Sequence, residues 1–444
     1  MRNDEVAYRL SPIAGTISDT RYAISDTRYA IRDETMIELS DARLITDSLR
    51  LDAAGVDVGG VANWGALLNH ADAHSLTPLL CAAWRGSGVW SRIPTAHQER
   101  MERALGDNAK RQTNVRAELL EIDSLLTTAS VPHIVLKGWP LAERLYLEPA
   151  HRVIYDHDFL VPPDRAEAGH AALWAAGFRR LPAKDEWVEK HLPSLWRNDG
   201  YEWDGYLFDP DYPRPVELHL RLWEEGWRGL RVRDLPDVWA GAQRRVAAGR
   251  AMAVLSDEDT LIHLAMHFAG HLIEREARLN QLLDVARFAA EAQWGQIVSR
   301  SSSAGVARFV YASLFLAHSI FGSPLPPPLT WGELEKETPP RFRAWLAEQG
   351  ARDVLLSDYR HRSKGLDYQL TFAAAHSLAE RLGIARFAAL PPVRQLMSKY
   401  NVSARWLAVL LYPRYFVERA VSYGRARAAK RAGDITTQAS TLSD

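Results

Sequence analysis

Apolar residues recur at three- and four-residue intervals along TPLLCAAW, Thr77 to Trp84, and along the run from His97 to Leu126. That spacing predicts amphipathic helices over most of residues 36–130. Gly106 is the one weak point of the long run. The pattern then changes. VPHIVLKG (131–138) reads as a short strand ending in a glycine turn, and WPLAERLY (139–146) as a helix with Pro140 in its first turn. RVIYDHDFLV (152–161) reads as a strand, and PPDRAEAGHAALWAAGF (162–178) as a helix between prolines and Gly177. YEWDGYLF (201–208) and PVELHLRL (215–222) read as two further strands around the turn DPDYPRP. From Ser256, SDEDTLIHLAMHFAGHL resumes the helical period, with Ser256 placed to cap it and acids in its first turn.

These elements predict an α+β chain in which a small mixed sheet, flanked by helices, lies between two mostly helical regions. The expected boundaries are 1–35 for a disordered extension, 36–130 for a helical region, 131–225 for the mixed domain, 226–432 for a second helical region and 433–444 for a frayed tail. The extension holds ISDTRYA twice in succession, at 17–23 and 24–30. Two copies without an apolar seam make neither a coiled coil nor a solenoid. Met36 is a candidate initiator downstream of them.

Composition narrows the partners. The formal net charge of −1 gives no global basic field for nucleic acid, so nucleic acid is a possible partner but not a favoured one. The single cysteine, Cys81, excludes an intrachain disulfide and a multi-cysteine zinc site, and it fits a reducing, cytoplasmic setting. No apolar run is long enough for a membrane span, and no membrane partner is expected; WLAVLLY (406–412) reads as core or an oligomer face. The basic stretch SYGRARAAKRAG (422–433) reads as a solvated helix end.

Two aspartates one residue apart inside an apolar, strand-like run are unusual, because Asp is a poor strand former and a buried carboxylate is costly unless paired. On a strand Asp156 and Asp158 share one face. Two carboxylates held close repel, and a divalent cation removes that problem. Glu217, between Val216 and Leu218, repeats the same apolar–acid–apolar placement and offers the third carboxylate that a site for two metal ions needs. Lys137 and Gly138 end a strand just before a helix, where backbone N–H groups and a point charge can meet phosphate, and Arg152 can add a second charge or pair with an acid. His157 and His219 read as packing or hydrogen-bonding residues. His263, His267 and His271 share a helical face, as zinc-binding histidines can, but without the glutamate of a metalloprotease helix; they read as lining the border with the middle domain. Asp284 reads as structural.

The order LKG, LAERLY, RVIYDHDFLV, AALWAAGF, VELHL resembles the nucleotidyltransferase superfamily. More narrowly it is similar to the bacterial uncharacterised nucleotidyltransferase family proteins, with motifs over about 131–290. The resemblance implies that Asp156, Asp158 and Glu217 are catalytic residues and ligands of Mg²⁺ or Mn²⁺. It implies that Lys137, Gly138 and Arg152 lie on the phosphate side. The donor would be a nucleoside triphosphate, with ATP the first candidate. The reaction would be two-metal in-line attack on its α-phosphate by an acceptor that the sequence does not identify. Trp139 after the glycine and His157 between the aspartates depart from the superfamily's usual residues. A catalytically inactive member that binds a nucleotide or a protein is the alternative. A histidine-based hydrolase in the helical region is a third.

Overall fold

The computed structural model describes residues 39–421 apart from 53–60, 182–189, 199, 275, 349–354, 356–365, 401 and 403. The ISDTRYA repeat, Met36 and the stretch after Val421 lie outside the described residues. Four helices come first: α1 (Leu39–Asp47), α2 (Trp64–Ala73), α3 (Thr77–Arg85) and the long α4 (Thr95–Thr128). Cys81 is buried in α3, where burial pushes its thiol up to about 11, so it is a packing residue.

A mixed sheet follows, as the sequence pattern predicts, but with seven strands in place of the four read there. Its strands are β1 (Ile134–Val135), β2 (His157–Leu160), β3 (Arg179–Arg180), β4 (Leu195–Trp196), β5 (Val216–His219), β6 (Gln243–Ala247) and β7 (Arg250–Val254), in the order β3-β4-β5-β2-β1-β7-β6. β2 runs parallel to β5 and antiparallel to β1; β1 runs parallel to β7. Helices α5 (Trp139–Leu145) and α6 (Ala166–Ala175) stand where the pattern placed them.

One face of the sheet packs on α4 and α6. Phe159, Val216 and Leu218 join Val115, Leu119, Ile122 and Leu126 of α4 in a single apolar cluster. Gly169 of α6 lets this packing close: a Cβ there would stand 3.2 Å from Leu126 and from Leu218. His157 points to this face too. It hydrogen-bonds Glu118 of α4 at 3.0 Å, and Arg214 grips the same carboxylate, which these partners hold at about 2 against the opposing effect of burial.

Three sequence expectations change. The strand read over 152–161 is paired only from His157. Before it, the carbonyls of Arg152 and Ile154 accept hydrogen bonds from Gln112 and Arg111 of α4, so those backbone groups are satisfied without a neighbouring strand. Ile154 therefore packs with Phe159, on the side away from Leu160. YEWDGYLF is not a strand: the side chains of Asn198, Asp204 and Asp209 accept from backbone N–H groups two or three residues on and fold it into turns. Finally, residues 243–254 form a hairpin that extends the sheet through β7. Its two-residue loop, Ala248–Gly249, has positive φ at both positions, the hairpin turn that matches strand twist.

After the short α7 (Val238–Gly241), the helical region begins with α8 (Asp257–Glu274) and α9 (Leu279–Ala290). Ser256 caps α8 by accepting from Asp259 N–H at 3.1 Å. Then come α10 (Ile297–Ser303), α11 (Ala307–Phe321), α12 (Pro328–Lys336), α13 (Pro340–Ala347), α14 (Leu366–Ala373), α15 (Leu378–Ala389), α16 (Val393–Lys399) and α17 (Arg405–Leu410). Helices α8, α9 and α11 are the centre of the larger core, which also takes in α1 to α3. A buried ion pair, Arg308 with Glu380, ties α11 to α15. In α17 only Ala408 is buried, so WLAVLLY does not form core.

Candidate functional site

The parallel pairing of β2 with β5 puts Asp158 opposite Glu217 and Phe159 opposite Leu218. Because strand side chains alternate, Asp158, Glu217 and His219 all leave the sheet on the face away from α4. One ligand atom from each lies within 4.8 Å of the other two. His219 Nε2 stands 3.0 Å from Asp158 Oδ1 and 3.3 Å from Glu217 Oε2. Ser194 donates to Glu217 Oε1 at 3.3 Å, and His191 Nε2 lies 3.5 Å from Glu217 Oε2.

Asp156 stands one residue before β2 and is the most open acid, with its side chain 33 % exposed against 2 % for Asp158. Lys137 links them. Its Nζ lies 3.1 Å from Asp156 Oδ2 and 2.9 Å from Asp158 Oδ2. The second contact lacks hydrogen-bond geometry, so Asp158 Oδ2 is buried without a hydrogen-bond partner. The electrostatics follow from this crowding. Burial and the adjacent Asp158 raise Asp156, whereas Lys137 and His219 overcome burial and hold Asp158 well below the usual carboxylate range. Glu217 is held at about 2 against burial, chiefly by His219 and His191. His219 is raised by its two acids, again against burial.

Gly138 starts α5 with φ +79° and ψ −120°, a conformation that side chains resist. Arg152 lies behind it. The guanidinium pairs with Asp284 of α9, at 2.8 Å from Nη2, and also donates to the Gly138 carbonyl at 3.4 Å. Tyr146 donates to the same Asp284 at 2.8 Å. Asp284 is thus structural, as its sequence setting suggested, and Arg152 holds the glycine turn from within.

The α8 histidines approach this site, as expected of residues at the domain border. His263 and His267 stack with centroids 6.2 Å apart, and His267 meets His271 edge-on at 4.5 Å. Burial pushes His263 down to about 3, and the nearby His219 and Lys137 push it further in the same direction. Both its ring nitrogens are buried without a hydrogen-bond partner. Lys190 and Arg278 act on His271 in the same sense as Lys137.

The model of the Uncharacterised nucleotidyltransferase family matches residues 61–322, more than half of the chain. The chain belongs to this family. No curated protein and no solved structure matches it. The family match spans the four elements that build the acid cluster, namely the Lys137–Gly138 turn, β2, β4 and β5, together with the histidine face of α8. Sequence reasoning read His219 as a packing or hydrogen-bonding residue, and it does bond Asp158, but it did not place His219 among the acids and did not single out His191. His219 was within reach, because it lies two residues from Glu217 and so shares its face. His191 arrives through an antiparallel bridge to His219, a pairing that no local pattern announces.

Proposed function

We propose that this family member is a Mg²⁺-dependent nucleotidyltransferase that moves a nucleoside monophosphate from a nucleoside triphosphate to an acceptor nucleophile. The observation that carries the reading is the register of Asp158 against Glu217, with Asp156 open beside them. The donor set suits a divalent cation: it is rich in carboxylate oxygens, crowded with like charge, and brings one ligand atom each from Asp158, Glu217 and His219 within 4.8 Å of one another. Asp156, Asp158 and Glu217 would hold the ion, with His219 either completing the set or orienting the acids. Bound Mg²⁺ would neutralise the acids and the polyphosphate charge that accumulates at the reacting phosphorus.

The chain's own residues supply position and field. The Gly138 turn brings backbone close to a phosphate, and Arg152 keeps that turn in place. Lys137 is a point charge that would face a phosphate oxygen once a cation held the acids in its place. Asp156, the most open of the three acids, is the candidate acceptor of the nucleophile's proton. We assign the catalytic unit to residues 131–225 together with the hairpin Gln243–Val254.

Calorimetry tests the reading with ATP, GTP, CTP and UTP, each with and without Mg²⁺. Wild type should bind at least one nucleotide in a Mg²⁺-dependent way, and Asp156→Asn/Asp158→Asn should lose that binding while staying folded. Binding unchanged in the double variant would refute the ligand assignment. A second reading, an inactive module that binds a nucleotide or a protein, draws on the Lys137 ammonium lying between the two aspartates. It predicts nucleotide binding that is indifferent to Mg²⁺, or none.

A further inference from the structure

Unmatched polar atoms gather between the acid face of the sheet and α8. His263 is 3 % exposed, and neither of its ring nitrogens has a hydrogen-bond partner among the described residues. The same holds for His219 Nδ1, His271 Nδ1 and Asp158 Oδ2. Buried polar groups are rarely left so, and each calls for a partner from outside the chain. Water reaches this region, because Asp156, Glu217 and His271 are only part-buried.

Cations border the same space. Lys190 and Arg278 are half-buried, and among the described residues neither makes an ion pair with a carboxylate. The Arg278 guanidinium lies over the Tyr155 ring, 5.2 Å from its centroid. Burial is the main cause that pushes His271 down, to about 3, and the charges of Lys190, Lys137 and Arg278 add to it. Lys137 and Lys190 act on His263 and His267 in the same direction. The imidazoles are therefore neutral N–H donors inside a positive field. The acids nearby do not cancel that field. Glu276 is half exposed, with an oxygen 3.9 Å from His271 Nδ1. Glu274 accepts from Trp227 and is pushed up to about 7 by burial, so it is only part-ionised at neutral pH. Water alone would satisfy the imidazoles, but it would leave the two cations without a counter-charge.

Strand register separates this space from the turn proposed for the donor's phosphates. Gly138 stands at the start of β2, where a Cβ on it would lie 3.9 Å from the Asp156 carbonyl oxygen. Lys190 stands at the other end of the strand pair. Its carbonyl accepts from Leu220 N–H at 2.7 Å, just past β5, and the next residue, His191, bridges to His219. From Pro215, level with Asp156, to Leu220 is five residues, or about 16 Å. We propose that His263, His271, Lys190 and Arg278 bind an oxyanion of the acceptor, a phosphate or a carboxylate, at the end of the site away from Gly138. The donor's nucleoside carries no charge, so the cations at this end suit the second reactant. The acceptor role rests on the transferase reading above; the oxyanion site itself does not.

The experiment is calorimetry of the full chain with inorganic phosphate and with acetate, each run alone and after saturation with a Mg²⁺-nucleotide that wild type binds. Wild type should bind at least one of the two anions, and should still bind it with the nucleotide in place. The anion bound more tightly names the acceptor's charged group. Lys190→Gln and Arg278→Gln should each weaken anion binding about tenfold, while keeping the wild-type circular dichroism and nucleotide affinity. His263→Phe keeps a ring of similar size and removes both nitrogens. It should weaken the anion severalfold and leave the fold at least as stable to urea, whereas a purely structural histidine would move only the urea midpoint. Wild type that binds neither anion overturns the proposal, as does anion binding that both the Lys190 and the Arg278 variants retain. Displacement of the anion by nucleotide also overturns it, by giving these cations to the donor's phosphates. If wild type binds the anion but no nucleotide, the transferase reading fails and the oxyanion site stands.

Discussion

Replacing Asp284 by Ala isolates the work of the Arg152 pair. Arg152 is 8 % exposed and Asp284 2 % exposed, so neither charge has water to turn to. In the native chain the guanidinium is held by both carboxylate oxygens, at 3.1 Å from Nε and 2.8 Å from Nη2. The substitution leaves a buried cation without its counter-ion and takes the acceptor of Tyr146 as well. Breaking one side of such a pair costs about 3–5 kcal/mol. Arg152→Met/Asp284→Leu removes both charges and keeps apolar volume, so it should recover most of that loss. Urea unfolding of wild type, the single and the double variant measures both quantities. The single variant should also bind nucleotide more weakly, because the Gly138 carbonyl then loses a fixed donor. A cost for Asp284→Ala below about 1 kcal/mol, or a double variant no more stable than the single, would show that Arg152 is not a pinned buried charge.

Gly138→Ala should destabilise the chain by about 1–2 kcal/mol, since φ is +79° there, and should weaken nucleotide binding more than Gly106→Ala does. Glu380 sits at about 2, below the usual 4.5, because Arg308 and backbone N–H groups outweigh its burial. A lowered carboxyl stabilises above its unfolded value and loses that contribution as pH falls through the folded one. About 3 kcal/mol should therefore disappear between about pH 4.5 and pH 2. The stability gap between wild type and Glu380→Gln should narrow over that window, and a constant gap would refute the assignment. Cys81 should resist thiol reagents in the native chain and react on unfolding, because it is buried and its thiol is raised to about 11. His157→Phe should lower stability through the loss of Glu118, yet leave nucleotide binding close to wild type; a selective loss of binding would place His157 in the site.

The parts of the site carried by strand alternation were readable from the chain. Asp158 and Glu217 are acids set among apolar residues, and strand alternation puts both on the face away from α4, with Asp156 beside them just before β2. The Lys137–Gly138 turn was readable because glycine before a helix has a definite backbone role. What escaped depends on distant groups. Arg152 read as a charge for phosphate or as the partner of a nearby acid, and the acid it pairs with, Asp284, lies more than a hundred residues away. YEWDGYLF has strand-like composition, but Asn198, Asp204 and Asp209 offer its backbone closer partners than a ladder. The hairpin at 243–254 fell within the region expected to be helical, and the Ala248–Gly249 turn that makes it was not singled out.

The pairing of Asp158 with Glu217 also says which changes in chain length the family can absorb. A residue lost at the start of β5 turns every following side chain to the opposite face, so Glu217 would enter the apolar layer under α4 and Leu218 would replace it, and a loss at the start of β2 would do the same to Asp158 and Phe159. A loss of two restores the face but moves the acid along the strand by about 6.6 Å, outside the reach of Asp158. The turns of residues 200–208 carry no such constraint, since their length does not set where β5 pairs. Insertions and deletions among family members should therefore collect in that connection, while β2 and β5 keep their residue count.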